Sequence, residues 1–230
     1  IDGIDEVHDK VRGTKNAFEL ASRTIDGLLE LHNEYPGYFV GLKTTVLPVN
    51  IDSLDTILDF AKERGLFTII SPVFFTETRF RNAASRESLE LTNTDREKLL
   101  RFYQRDDLGT NYFYSRIRDF LATDRKCWSC TATYNYIFIE SDGTVYPCEL
   151  LSEPLGNIRE KSIEEIWAGE AAHRLRRSID KTEQCRICIE PGAVRYSAYA
   201  EGLSYSGYLR KLGRQHYQRS LYDEGYYKYF

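Results

Sequence analysis

A chain of 230 residues, 42% hydrophobic and carrying a net charge of -4, is long enough to bury one sizeable core, or one core with a smaller appendage, without disulfides. Its pI near 5.7 removes any general electrostatic reason to bind nucleic acid or an anionic membrane. No apolar run is long enough to span a bilayer and no signal-peptide pattern opens the chain, so the expected compartment is the cytoplasm, with no nucleic-acid or membrane partner. The chain contains no methionine and starts in mid-motif at Ile1, which predicts a piece of a longer protein.

The segment TKNAFELASRTIDGLLELHN (14–33) places Phe18, Ala21, Ile25, Leu28 and Leu29 at helical spacing, predicting an amphipathic helix with Thr14 as N-cap. After the turn EYPG, the β-branched and aromatic residues of YFVGLKTTVL predict a buried strand over 38–47. NIDSLDTILDFAKERG predicts a second helix, with Asn50 as cap, Leu54, Leu58 and Ala61 on one face, and Gly65 as the stop. LFTIISPVFF follows as another strand, ended or bent at Pro72. Alternation of this kind with short connections points to βαβ units and a parallel sheet. IDG at the start reads as the exit of an earlier strand.

Beyond Thr76 the pattern loses regularity. TETRFRNAASRESLELTNTD predicts a polar surface excursion, followed by helical EKLLRFYQR and YFYSRIRDFLATD. The basic run HRLRRSIDK, with Arg174, Arg176 and Arg177, predicts a solvated helix face, docking of an acidic peptide or a phosphate being the alternative. In the Tyr-rich tail, Tyr205, Tyr208, Leu209 and Leu212 form a weak helical stripe that predicts a docked or frayed terminal helix.

All five cysteines lie between Cys127 and Cys188. An odd set clustered in this way points to metal or redox chemistry more than to a disulfide framework. Within CWSCTATYNYIFIESDGTVYPC (127–148), alternating residues around a turn at Ser141, Asp142 and Gly143 predict a hairpin that brings Cys148 back toward Cys130. Downstream, Cys185 and Cys188 form the CxxC knuckle CRIC, whose spacing lets two thiolates converge. Four thiolates from hairpin and knuckle suit either a structural zinc ion or an iron-sulfur cluster, and spacing alone does not choose between them. Cys127 is left over, at a tolerable distance from Gly143 to replace Cys130.

The run of Cys130, twelve residues, Gly143, four residues and Cys148, with a CxxC downstream, resembles the twitch and SPASM domains that follow the catalytic barrel of many radical S-adenosylmethionine enzymes. PLGNIREKSIEEIW (154–167) is a common accompaniment of that domain. It also makes local sense: Ser162 and Glu165 form a capping box while Ile163, Ile166 and Trp167 supply an apolar face. At the other end, IDGIDEVHDKVRG resembles the exit of the fourth barrel strand in the same enzymes. The resemblance covers most of residues 1–75 and 127–195.

What the resemblance implies is an α/β protein: the C-terminal half of a partial (β/α)6 barrel (1–75), bridging helices (76–126), a small α+β twitch or SPASM-like domain (127–195) and the Tyr-rich tail (196–230). It implies one auxiliary 4Fe-4S cluster on Cys130, Cys148, Cys185 and Cys188. CRICIEPGAVRYSA lacks the further cysteines that a second auxiliary cluster would need, and the hairpin offset of Cys130 matches the family better than that of Cys127. The CxxxCxxC motif that holds the S-adenosylmethionine-cleaving cluster of the family is not in the chain and is expected upstream of Ile1. In the complete enzyme a 5'-deoxyadenosyl radical would take hydrogen from a peptide or small-molecule substrate, the auxiliary cluster would accept or relay an electron, and a flavodoxin or ferredoxin would supply reductant. Asp2 and Arg12, at a strand exit, are carried over as cofactor contacts, whereas His8 and Asp9 read as capping or loop-ordering residues. No catalytic acid or base is assigned. Peptide modification, alcohol oxidation and sulfatase-type maturation are not separated. The alternative from another class is a non-catalytic zinc-binding or Fe-S-binding module on an α/β scaffold.

Overall fold

The computed structural model describes residues 1–35, 37–76, 82–108, 112–201 and 215. The tail positions Tyr205, Tyr208, Leu209 and Leu212 lie outside these residues, as do 77–81 of the polar excursion. The chain divides into two compact units, Ile1–Val73 with Ser88–Asp107, and Phe74–Glu87 with Leu108–Phe230. Both mix helix and strand.

In the first unit, helices α1 (Glu6–Arg12) and α2 (Ala17–Glu34) precede strand β1 (Gly41–Val46). A 3-10 turn at Ile51–Ser53 leads into helix α3 (Leu54–Glu63), and strand β2 (Phe67–Pro72) then pairs parallel to β1, from Gly41 opposite Phe67 to Val46 opposite Pro72. Leu54, Ile57, Leu58 and Ala61 recur at helical spacing and are all buried, which is the pattern that seats an amphipathic helix on a sheet. Alternation along β1 buries Leu42, Thr44 and Val46. The helix stops at Gly65, whose φ of 65° lets the Leu66 N–H reach back to the Ala61 carbonyl at 2.9 Å. The chain leaves this unit at Phe74 and re-enters it at Ser88, inside the single turn α4 (Arg86–Leu89). Helix α5 (Asn93–Tyr103) follows, started by a Thr92–Asp95 capping box, and it buries Leu99, Phe102 and Tyr103, the Tyr103 hydroxyl donating to the Ile70 carbonyl at 2.7 Å.

Two expected caps turn out otherwise. Helix α2 begins at Ala17, after Asn16 in a left-handed conformation, and not at Thr14. Its free N–H groups are met by Asp9, whose carboxylate accepts from Asn16 at 2.6 Å and Phe18 at 2.9 Å, the loop-ordering role expected of that residue. Asn50 makes no cap bond. Its buried amide instead donates to the carbonyls of Asp2 (2.8 Å) and Thr45 (2.9 Å) and accepts from Leu47 (2.7 Å). An amide that completes three backbone bonds in the interior has nothing left for a helix end.

The buried His8 accepts the Asp2 N–H on Nδ1 at 2.9 Å, and burial lowers its pKa from 6.5. The folded state therefore favours neutral imidazole, so the stability this group contributes is complete above pH 6.5 and is lost as the pH falls below it. Urea midpoints measured from pH 8 to pH 5 should drop more steeply for the wild-type chain than for His8→Asn; parallel profiles would exclude this linkage.

The second unit is built on helix α6 (Tyr112–Thr123), which buries Tyr112, Phe113, Tyr114 and Ile117. Its sheet is antiparallel, with β3 (Phe138–Ile139) pairing with β4 (Thr144–Tyr146) and β4 with β5 (Gly156–Asn157). Four helices close the unit: α7 (Ile163–Ala168), α8 (Glu170–Ser178), the single turn α9 (Glu183–Arg186) and α10 (Pro191–Glu201). The Ser162–Glu165 capping box forms as the sequence indicated. Helices α6 and α10 meet through the Tyr112 hydroxyl and the Ser197 hydroxyl, 3.0 Å apart. Among the described residues no helix is long and apolar enough to cross a membrane.

Candidate metal centre

Three short segments of the second unit deliver thiols to one place. The β3–β4 hairpin turns at Gly143, with φ of 87°, where the Gly143 N–H bonds the Glu140 carbonyl at 2.9 Å and the Asp142 carboxylate accepts from the Thr144 N–H at 2.9 Å. An added Cβ at Gly143 would stand 2.9 Å from the Asn157 side-chain oxygen. Gly143→Ala should therefore cost roughly 1–2 kcal/mol for the left-handed backbone alone, read as a lower thermal midpoint of the second unit.

Cys148 leaves the end of this hairpin, but Cys130 is not on its strands. Residues 131–136 form a separate turn, with Thr133 at φ of 65° and a bridge between Ala132 and Tyr136. Cys130 is held from outside the hairpin, its N–H donating to the Asp180 carboxylate at 3.1 Å. The other two thiols come from α9, where Thr182 caps the helix by accepting the Cys185 N–H at 3.2 Å. The chain then turns so that the Cys188 N–H meets the Cys185 carbonyl at 3.4 Å. Directly beyond, the Glu190 carboxylate caps α10 through the N–H groups of Gly192 and Ala193.

Cys130, Cys148, Cys185 and Cys188 line a single cavity, with Lys126, Tyr136 and Glu190 in its polar wall and Leu150, Leu151 and Ile179 among its apolar members. Cys185 and Cys188 are buried, Cys130 and Cys148 half-buried, and Cys127 exposed. The sulfur of Cys127 faces the Arg116 guanidinium at 3.7 Å and is not among the cavity residues. Burial pushes the Cys148 thiol up to about 11 and raises those of Cys130 and Cys188. Against that, the neighbouring backbone (Ala132 for Cys130, Leu150 and Leu151 for Cys148, Glu190 for Cys188) acts to lower these values. The Tyr136 hydroxyl stands 3.9 Å from the Cys130 sulfur.

Such a set is soft and becomes negatively charged only when a metal displaces the thiol protons. Four cysteine thiolates are the donor set that holds an iron-sulfur cluster. The donor chemistry therefore fits an iron-sulfur cluster. The free space between the side chains is about 20 Å³, room for about one water, so seating a cluster requires the thiols to spread. Among the described residues no three His, Cys, Asp or Glu side chains converge to hold a single metal ion.

The remaining residues singled out in the sequence lie in the first unit or on α8. Asp2 is buried, its carboxylate accepting from the Thr45 N–H at 2.9 Å and from Arg12 at 2.7 Å, while the Arg12 side chain stays 55% exposed. On α8, Arg174 pairs with Glu170 and Arg177 is exposed, but Arg176 turns inward, donating to the carbonyls of Thr133 and Trp167, each at 2.8 Å. That inward turn departs from the expected solvated face, because two carbonyls of the 131–136 turn and α7 need a donor there. Lys126 and Asp180 were not foreseen at all. Each sits in a charged stretch that carries no pattern distinguishing it from solvent-facing neighbours.

Residues 115–189, which include all of these cysteines, match the family model of SPASM, an iron-sulfur cluster-binding domain. The chain is 29% identical over 215 residues to the AdoMet-dependent heme synthase of Methanosarcina barkeri, covering 82% of this chain and 58% of that protein. It is 26% identical over 172 residues to the sporulation killing factor maturation protein SkfB of Bacillus subtilis, covering 72% of this chain and 38% of the relative. The chain thus spans less than two thirds of the length of either relative. Together, the matched domain and these relatives make the chain similar to radical S-adenosylmethionine enzymes with a SPASM domain.

Proposed function

We propose that Cys130, Cys148, Cys185 and Cys188 hold one auxiliary 4Fe-4S cluster, and that the chain is the later portion of a radical S-adenosylmethionine oxidoreductase or maturase. The observation that carries this reading is the meeting of four thiols from three segments at one cavity. Bound there, a cluster with every iron taken by a thiolate supplies one-electron transfer. The residues of this chain hold and shield it: Leu150, Leu151 and Ile179 exclude water, and Tyr136 stacks on Tyr196 at 4.9 Å to close one side.

In this reading residues 1–75 supply later βα units of a partial (β/α)6 barrel, 76–126 bridge, 127–195 carry the cluster and 196–230 form the tail. The parallel β1–β2 pair joined through α3 supports the first of these. Arg12, half-exposed beside Asp2, is the group available to an anionic cofactor or substrate, with Asp2 orienting it. The substrate is a peptide or a small molecule: one relative is named as a maturation protein for the sporulation killing factor, which supports a peptide, and the other as a heme synthase. A flavodoxin or ferredoxin is the reductant class.

Protein purified anaerobically should be brown, with broad visible absorbance and iron and acid-labile sulfide in near-equal amounts. Colourless protein holding stoichiometric zinc would replace this reading with that of a zinc-binding module.

A further inference from the structure

A partly buried ion pair stands at the wall of the cysteine cavity, its Lys126 end in the lining. Lys126 leaves 8% of its side chain exposed and Asp180 leaves 32%. The ammonium of Lys126 donates to one Asp180 oxygen and to the Cys185 carbonyl at 3.1 Å. The other Asp180 oxygen accepts the Cys130 N–H at 3.1 Å. One pair thus ties the backbones of two cysteines that reach the cavity from distant parts of the chain. Asp180 adopts a φ of 71° to do so, a conformation that non-glycine residues occupy only where the surroundings impose it.

Neutral donors and acceptors would hold two backbones equally well, and a buried ion pair contributes little net stability after desolvation. What it adds is a charge pair whose positive end, Lys126, lines the cavity while Asp180 stands outside that lining. Lys126 lines the cavity beside the thiols, with the Trp128 ring 5.8 Å from its nitrogen on another side. The other carboxylate at the cavity, Glu190, is engaged by the N–H groups that start α10. Reduction adds a negative charge to an iron-sulfur centre, and a cation held close in a low-dielectric wall stabilises that form.

We propose that Lys126, held by Asp180, is a positioning residue of the cysteine centre that sets the spacing of Cys130 and Cys185 and raises the reduction potential of the cluster they hold. This rests on the iron-sulfur reading above. The test uses the full chain, reconstituted anaerobically with ferrous iron and sulfide and titrated with dithionite while EPR and visible absorbance are followed. Lys126→Met should lower the midpoint potential, and Lys126→Arg should restore it toward the wild-type value. A Lys126→Met potential equal to that of wild type overturns the proposal. Should Lys126→Met take up no iron, Asp180→Asn decides, since it keeps an acceptor for the Cys130 N–H while removing the opposing charge: a potential above wild type supports the proposal, and one at or below it overturns it. Wild-type chain that takes up zinc but neither iron nor sulfide defeats the underlying reading and this inference together, whereas a cluster whose potential ignores both charges defeats the inference alone.

Discussion

Replacing any one of Cys130, Cys148, Cys185 or Cys188 by alanine should reduce bound iron and sulfide by roughly 100-fold or more at limiting metal, beyond the ~10–100-fold typical of outer-shell partners. Cys127→Ala should leave both at wild-type levels. The difference follows from position. Four sulfurs line one cavity, and removing one leaves a site with three donors and an apolar gap. Cys127 is exposed and faces Arg116, so its loss changes a surface contact. The measurement is iron and sulfide per chain after anaerobic reconstitution and desalting. If Cys127→Ala lost the metal while Cys130→Ala kept it, the ligand set would have to be redrawn around Cys127.

The second large effect is one of packing. Ile57 on α3 is fully buried, and Ile57→Ala should cost about 2–5 kcal/mol, a large part of the ~5–15 kcal/mol that stabilises a typical domain. Leu20, on α2, is 59% exposed, and Leu20→Ala should stay within about 0.5 kcal/mol. Urea unfolding followed by far-ultraviolet circular dichroism separates the two, and equal midpoints would show that α3 is not the keystone of the β1–β2 layer.

Much of the first unit was legible because its elements obey local periodicity. The stripe Leu54, Leu58 and Ala61, the stop at Gly65 and the strands around Leu42 and Ile70 all follow from spacing and turn chemistry that need no distant partner. The caps were legible only where donor and acceptor lie within one turn. Ser162 and Glu165 satisfied that condition. Asn50 and Thr14 did not, since Asn50 spends its amide on Asp2 and Thr45 while Asp9 reaches past Thr14 to Asn16 and Phe18.

For the metal centre, the residue types and the two-part spacing were readable from the chain: a hairpin turn at Gly143 between Cys130 and Cys148, then CxxC. How Cys130 arrives was not. The hairpin strands are too short to carry it, and its place depends on Asp180, fifty residues later in the chain. Likewise, nothing in the primary sequence marks Lys126 as different from Arg125 beside it, yet one faces solvent and the other a cavity of thiols. Local spacing encodes which side chains are able to bind metal, because thiolate chemistry and turn geometry are properties of short segments. The charge and spacing around them are set by long-range contacts, which exist only once the segments have packed.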